Sequence, residues 1–110
     1  MNVYDTANNL AAEIRKSEEY NNYKMAKQAI ALNSDLKDRI KQFDTLRYEV
    51  QLKAMQTGKN DEEKYKEMQD LYAELITNPD AKNYFEAETK FNIIIADINK
   101  IIGEAIRDVI

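Results

Sequence analysis

Cysteine, histidine and tryptophan are absent from this chain of 110 residues, which has only two glycines and one proline. Without cysteine there is no disulfide, no thiolate nucleophile and no cysteine-ligated metal. The missing histidine removes the commonest general base and metal ligand. It also removes the Glu-x-x-His pair that a ferritin-like di-metal centre uses. Two glycines do not build a phosphate-cradling loop, and with one proline they are too few to punctuate a turn-rich sheet protein. No G-x-S-x-G elbow occurs, and Ser17 and Ser34 sit where helix caps are expected. The chain is therefore read as a non-enzyme with no cofactor and no metal.

Charge and apolar runs set further limits. The net charge of −4 gives the whole molecule no pull toward nucleic acid or anionic lipid. Residues 1–16 include Asp5, Glu13, Arg15 and Lys16 and contain no apolar h-region, so no signal peptide is read there. The apolar C-terminal stretch carries Asp97, Lys100, Glu104, Arg107 and Asp108, charges that a membrane span would not tolerate. The expected location is the cytoplasm, without membrane insertion.

What is present is helical. Ala, Glu, Lys and Ile are abundant, with Leu beside them, and the apolar residues recur at three- and four-residue steps. The expectation is an all-α fold: a single domain over residues 1–110, a helical bundle or long helical hairpin of four to five helices. Val3, Ala7, Leu10, Ala11 and Ile14 form the inner face of a first helix. Ser17 before Glu18 and Glu19 is a start or restart signal, whether it breaks the chain or only bends it. The next segment carries Tyr20, Tyr23, Ala26 and Ile30, with Met25, Ala29 and Leu32 alongside. Asn33 and Ser34 offer the following cap. Leu36, Ile40, Phe43, Leu46 and Val50 trace a helix to about Thr57, where Gly58 supplies a left-handed stop. Asn60 and Asp61 open a fourth, with Tyr65, Met68, Leu71, Tyr72, Leu75 and Ile76 as its stripe.

Asn78-Pro79 is the sharpest boundary, a capping side chain followed by proline at the first helical position. From there a long amphipathic helix of about 31 residues is predicted, ~46 Å at 1.5 Å per residue. Its seam runs Tyr84, Ala87, Phe91, Ile94, Ile98, Ile101, Ala105, with Ile95, Ile102, Ile106 and Val109 beside it. The β-branched run from Phe91 to Ile95 also suits a strand, but the helical spacing continues on both sides and a lone strand has no partner. Eight of the twelve isoleucines lie at or after residue 93, more than one small bundle easily hides. The reading is a homo-oligomer, most simply a two-fold dimer, with Phe91, Ile94, Ile95, Ile98, Ile101, Ile102 and Ile106 in the core or the interface. The alternative is that the hairpin of the Leu36 and Tyr65 helices folds back over the stripe.

Seven tyrosines are the unusual enrichment. Tyr20, Tyr23, Tyr65 and Tyr72 fall on or near apolar stripes and suit either packing or a partner surface. Stacking platforms for single-stranded RNA would need a basic track. Lys37, Arg39, Lys41, Arg47 and Lys53 come nearest, but Asp35, Asp38, Asp44 and Glu49 interrupt them. A faint internal echo pairs Asn22-Tyr23-Lys24-Met25-Ala26 with Asn83-Tyr84-Phe85-Glu86-Ala87.

The order of several of these segments resembles one known family. Tyr4-Asp5 with Ala7 and Leu10, Ser17-Glu18-Glu19-Tyr20 with Ala26, the Gly58 break, Ala87-Glu88 before Phe91, and Ile98-Asn99-Lys100-Ile101-Ile102 together resemble the bacterial YlbF/YmcA/YheA family of small helical proteins, its YheA-like branch most of all. The resemblance spans nearly the whole chain. It implies a cytoplasmic, oligomer-forming helical protein. Its better-known relatives are non-catalytic partners in a complex that affects mRNA processing by a membrane-associated ribonuclease, and through it competence, sporulation and biofilm formation. Those relatives can carry cysteine-bound iron–sulfur clusters, a property this cysteine-free chain cannot share. The functional expectation is a regulatory adaptor or scaffold that binds itself and other proteins, with weak single-stranded RNA binding as the alternative. A secreted hairpin of the WxG type shares the size range, but the chain lacks its tryptophan.

Overall fold

The computed structural model describes residues 2–110 and contains five helices and no strand among them: α1 (Val3–Lys16), α2 (Glu18–Ala31), α3 (Ser34–Thr57), α4 (Glu62–Leu75) and α5 (Pro79–Ala105). The chain divides into two compact units, Met1–Lys27 with Tyr84–Ile110 and Gln28–Asn83. The divisions fall inside α2 and α5.

The helix ends follow from the local chemistry. Asn2 caps α1 by accepting the Asp5 N–H at 2.9 Å. Ser17 then breaks the chain rather than bending it. Its backbone is extended, at φ −66° and ψ 149°. Its hydroxyl donates to the Ile14 carbonyl at 2.6 Å and accepts the Tyr20 N–H at 3.1 Å. One side chain thus satisfies a carbonyl of the helix that ends and an amide of the helix that begins. Asn33 caps α3 through Leu36 N–H at 3.1 Å. Gly58 stops it in the left-handed region at φ 71°, ψ 5°, donating to Ala54, a conformation that only glycine adopts without steric cost. Asp61 caps α4, and Asn78 caps α5 through the Asp80 and Ala81 amides, with Pro79 the first helical residue. Helix α5 is shorter than expected. After Ala105 the chain winds into turns, and the Val109 and Ile110 amides both reach the Ile106 carbonyl, as uncapped helix ends do.

In the Gln28–Asn83 unit, α3 and α4 pack as a hairpin. Leu36, Ile40, Phe43 and Val50 are buried along the predicted stripe of α3, and Leu75 is 1% exposed. The Phe43 and Tyr72 rings stand 5.5 Å apart. Arg39–Glu74, Lys64–Glu49 at 2.7 Å and Lys53–Asp61 at 3.0 Å join the two helices across the surface, each adding little in solvent. The Lys64 N–H, and then the Lys53 ammonium, hold the Asp61 carboxyl below its usual range. The Glu49 carboxylate raises the Lys64 ammonium.

In the other unit, Ala26, Tyr84, Phe85 and Ala87 are buried. Helix α1 contributes no buried residue. Leu10 and Ile14 are half-covered, and Val3 is 81% exposed. Met25, read as an apolar neighbour on α2, is also exposed, and so is Leu32, which lies in the turn just after that helix. At 100° per residue Met25 lies away from Ala26 and Ile30, so burial on α2 follows one narrow stripe.

Candidate functional site

Two features of the Met1–Lys27/Tyr84–Ile110 unit stand out, an aromatic cluster and an uncovered apolar run. The spacing of Tyr20 and Tyr23 brings both to the same side of α2, where they meet Phe91 of α5. Their ring centroids lie 6.1 and 5.5 Å from that of Phe91. Tyr23 also faces Tyr84 at 5.8 Å, and Tyr84 makes an edge contact with Phe85 at 5.4 Å. Tyr23 and Tyr84 are the tyrosines of the sequence echo, and both donate their hydroxyls to Glu88 Oε2, at 3.4 and 3.3 Å. Such offset and edge contacts add about 0.5–1.5 kcal/mol each beyond area burial.

Beside this cluster lies an open cleft of about 230 Å³ lined by Tyr20, Tyr23, Lys24, Lys27 and Phe91. The Lys27 ammonium sits 5.3 Å from the Tyr23 ring centre, within reach of the negative face of the ring. No carboxylate lines the cleft.

The isoleucine stripe changes character along α5. Phe91, Ile94, Ile95 and Ile98 are half-buried. From Ile101 onward cover is lost: Ile101 is 68% exposed and Val109 79%, with Ile102, Ile106 and Ile110 also exposed. Ile101 and Ile102 lie on the arc of α5 that carries Phe91 and Ile98, so one apolar face passes from covered to open, and Ile106, Val109 and Ile110 add exposed apolar surface in the turns after Ala105. Ile93 is exposed on the opposite side, among Asp97, Lys100 and Glu104.

The four tyrosines read as a partner surface are placed in two groups. Tyr20 and Tyr23 line the cleft. Tyr65 and Tyr72 lie on α4 in the other unit, 40% and 39% exposed, with the Tyr72 ring set against Phe43. Lys24 and Lys27 escaped the sequence reading. Their spacing from Tyr20 and Tyr23 along one helical side is the signal that could have found them.

Other chemistry is sparse. Of the basic track on α3, Arg39 pairs with Glu74, Arg47 with Asp44 at 2.9 Å, and Lys53 with Asp61, which neutralises most of it. A polar cleft of about 240 Å³ lies beside Asn33 and Asn78, but both amides are engaged as caps. Ser34-Asp35-Leu36-Lys37 has the S-x-x-K spacing of serine hydrolases with a lysine base. Both residues are exposed on the first turn of α3, and neither lines a cleft described here. No helix among the described residues is long and apolar enough to cross a membrane.

A family model described as control of competence regulator ComK, YlbF/YmcA, matches residues 3–107. A UPF0342 protein of Desulfitobacterium hafniense is 36% identical over 110 residues, all of this chain and 89% of that protein. A UPF0342 protein of Caldicellulosiruptor bescii is 35% identical over 96% of this chain and 88% of its own length. One of Clostridium novyi is 30% identical over 98% and 95%.

Proposed function

The chain belongs to the YlbF/YmcA family, and we propose that it acts as a non-catalytic regulatory adaptor of the cytoplasm, pairing with a second copy of itself and binding other proteins. The observation that carries this reading is the run from Ile101 to Val109, which continues a half-buried stripe into water. Contiguous apolar surface of this kind marks a site that another molecule covers. Helix α1, amphipathic and without a buried residue, offers further apolar surface in the same unit through Val3 and Tyr4. A two-fold pair is the simplest closed arrangement, since one patch then serves both copies.

The family description, control of a competence regulator, supports a place in developmental regulation. The resemblance noted in the sequence supports a link to mRNA processing. In either setting the adaptor works by contact rather than by chemistry. The test is the mass of the purified protein by light scattering at micromolar concentration. A dimer or higher assembly is expected, and a monomer removes the self-association part of the proposal.

A further inference from the structure

We infer that the cleft lined by Tyr20, Tyr23, Lys24, Lys27 and Phe91 docks a partner protein's segment in which an aromatic or leucine side chain is flanked by acidic residues. The inference rests on the adaptor reading and assigns its partner-binding pocket. Size argues for a side chain rather than a metabolite. At about 230 Å³ the cleft falls below the ~300–1,000 Å³ of small-molecule sites. Its walls are of the kind that anchor protein partners, rings that present apolar area with little rotamer entropy to lose.

Charge then selects the occupant. Lys24 and Lys27 stand at the cleft, neither makes an ion pair with a described residue, and no acid lines it. Glu88, the carboxylate of the aromatic cluster, accepts hydroxyls from Tyr23 and Tyr84. A chain of net charge −4 thus keeps a local cationic site over an apolar floor, complementary to an acidic, hydrophobic segment. This chain's own Asp70-Leu71-Tyr72-Ala73-Glu74 has that pattern, but its Tyr72 ring is committed to Phe43. A nucleic acid would need cations spaced along its backbone, and two on one cleft do not make such a track.

The test selects random dodecapeptides displayed on phage against the full-length protein. Synthesised winners are then titrated by fluorescence anisotropy against wild type, Lys24→Glu/Lys27→Glu and Tyr20→Ala. Enriched peptides are expected to share an aromatic residue or leucine beside two or more acids. Their affinity should fall roughly tenfold or more in the double charge reversal, and fall with salt in wild type. Both lysines are exposed, so circular dichroism and the light-scattering mass should stay unchanged in that variant. Enrichment without acids, equal affinity in the double reversal, or displacement of the peptide by a uridine dodecanucleotide overturns the inference. The light-scattering mass is read separately: a monomeric wild type defeats self-association, whereas a dimer that selects no acidic peptide defeats the docking site alone.

Discussion

Replacing Ile101 with aspartate separates self-association from folding better than any other change on α5. Burying a whole isoleucine side chain is worth about 1.5–3 kcal/mol. Since 68% of Ile101 is still open to solvent, a partner that covers it gains about 1–2 kcal/mol per copy. In a two-fold interface each residue counts twice, so about 2–4 kcal/mol is at stake. At ~1.4 kcal/mol per decade the dimer weakens by about 30- to 1,000-fold, and burying two aspartates adds a desolvation cost. The isolated copy loses only the part already covered, about 0.5–1 kcal/mol. Sedimentation velocity over a concentration series should therefore show Ile101→Asp as a monomer where wild type is assembled, with the melting temperature of the monomer nearly retained. Ile101→Ala should fall between the two, because it removes area without adding charge. If the dissociation constant of Ile101→Asp stays within about threefold of wild type, the open end of α5 is not the interface.

Other substitutions test the fold itself. Leu75, 1% exposed, should cost about 2–5 kcal/mol when cut to alanine, read by urea denaturation. The two glycines should respond with opposite signs. Gly103 lies inside α5 with open space around an added Cβ, so Gly103→Ala should stabilise by about 0.5–1 kcal/mol. Gly58 has equal space but a φ of +71°, so Gly58→Ala should destabilise by about 1–2 kcal/mol. A gain in stability at position 58 would refute the left-handed stop. Asp61, held below its usual range by Lys64 N–H and Lys53, contributes stability that is present above the ordinary carboxylate range and lost as pH falls through its lowered value. Asp61→Asn keeps a good cap but should flatten that acid limb in denaturation midpoints measured below about pH 5.

The helices were legible because their ends are written locally. Asn33, Gly58, Asp61 and Asn78-Pro79 each settle a boundary within four residues of chain, and the structure places the boundaries there. Ser17 was ambiguous because a serine before two glutamates suits both a continuing helix and a new one. The hydroxyl's two bonds, to Ile14 and from Tyr20, decide between them. Depth of burial was less legible. The α5 stripe looks uniform from Phe91 to Val109, yet cover ends near Ile98, since periodicity says which residues share a face and not how far a neighbour reaches. The cleft was half legible. Tyr20 and Tyr23 stood out, but their meeting with Phe91 depends on long-range packing that no local signal encodes.

The joint at Ser17 has a mechanical consequence. Helices α1 and α2 are separated by one non-helical residue, so there is no length of loop to absorb a change in angle. Helix α1 has 14 residues, an arm of about 21 Å at 1.5 Å per residue. A rotation of about 10° at its base carries the far tip some 4 Å, by the same geometry. Where Val3 and Tyr4 come to rest is therefore set two helical turns beyond Leu10, where the Ser17 hydroxyl and the Asn21 amide, which donates to the Arg15 and Ser17 carbonyls, tie the two helices together.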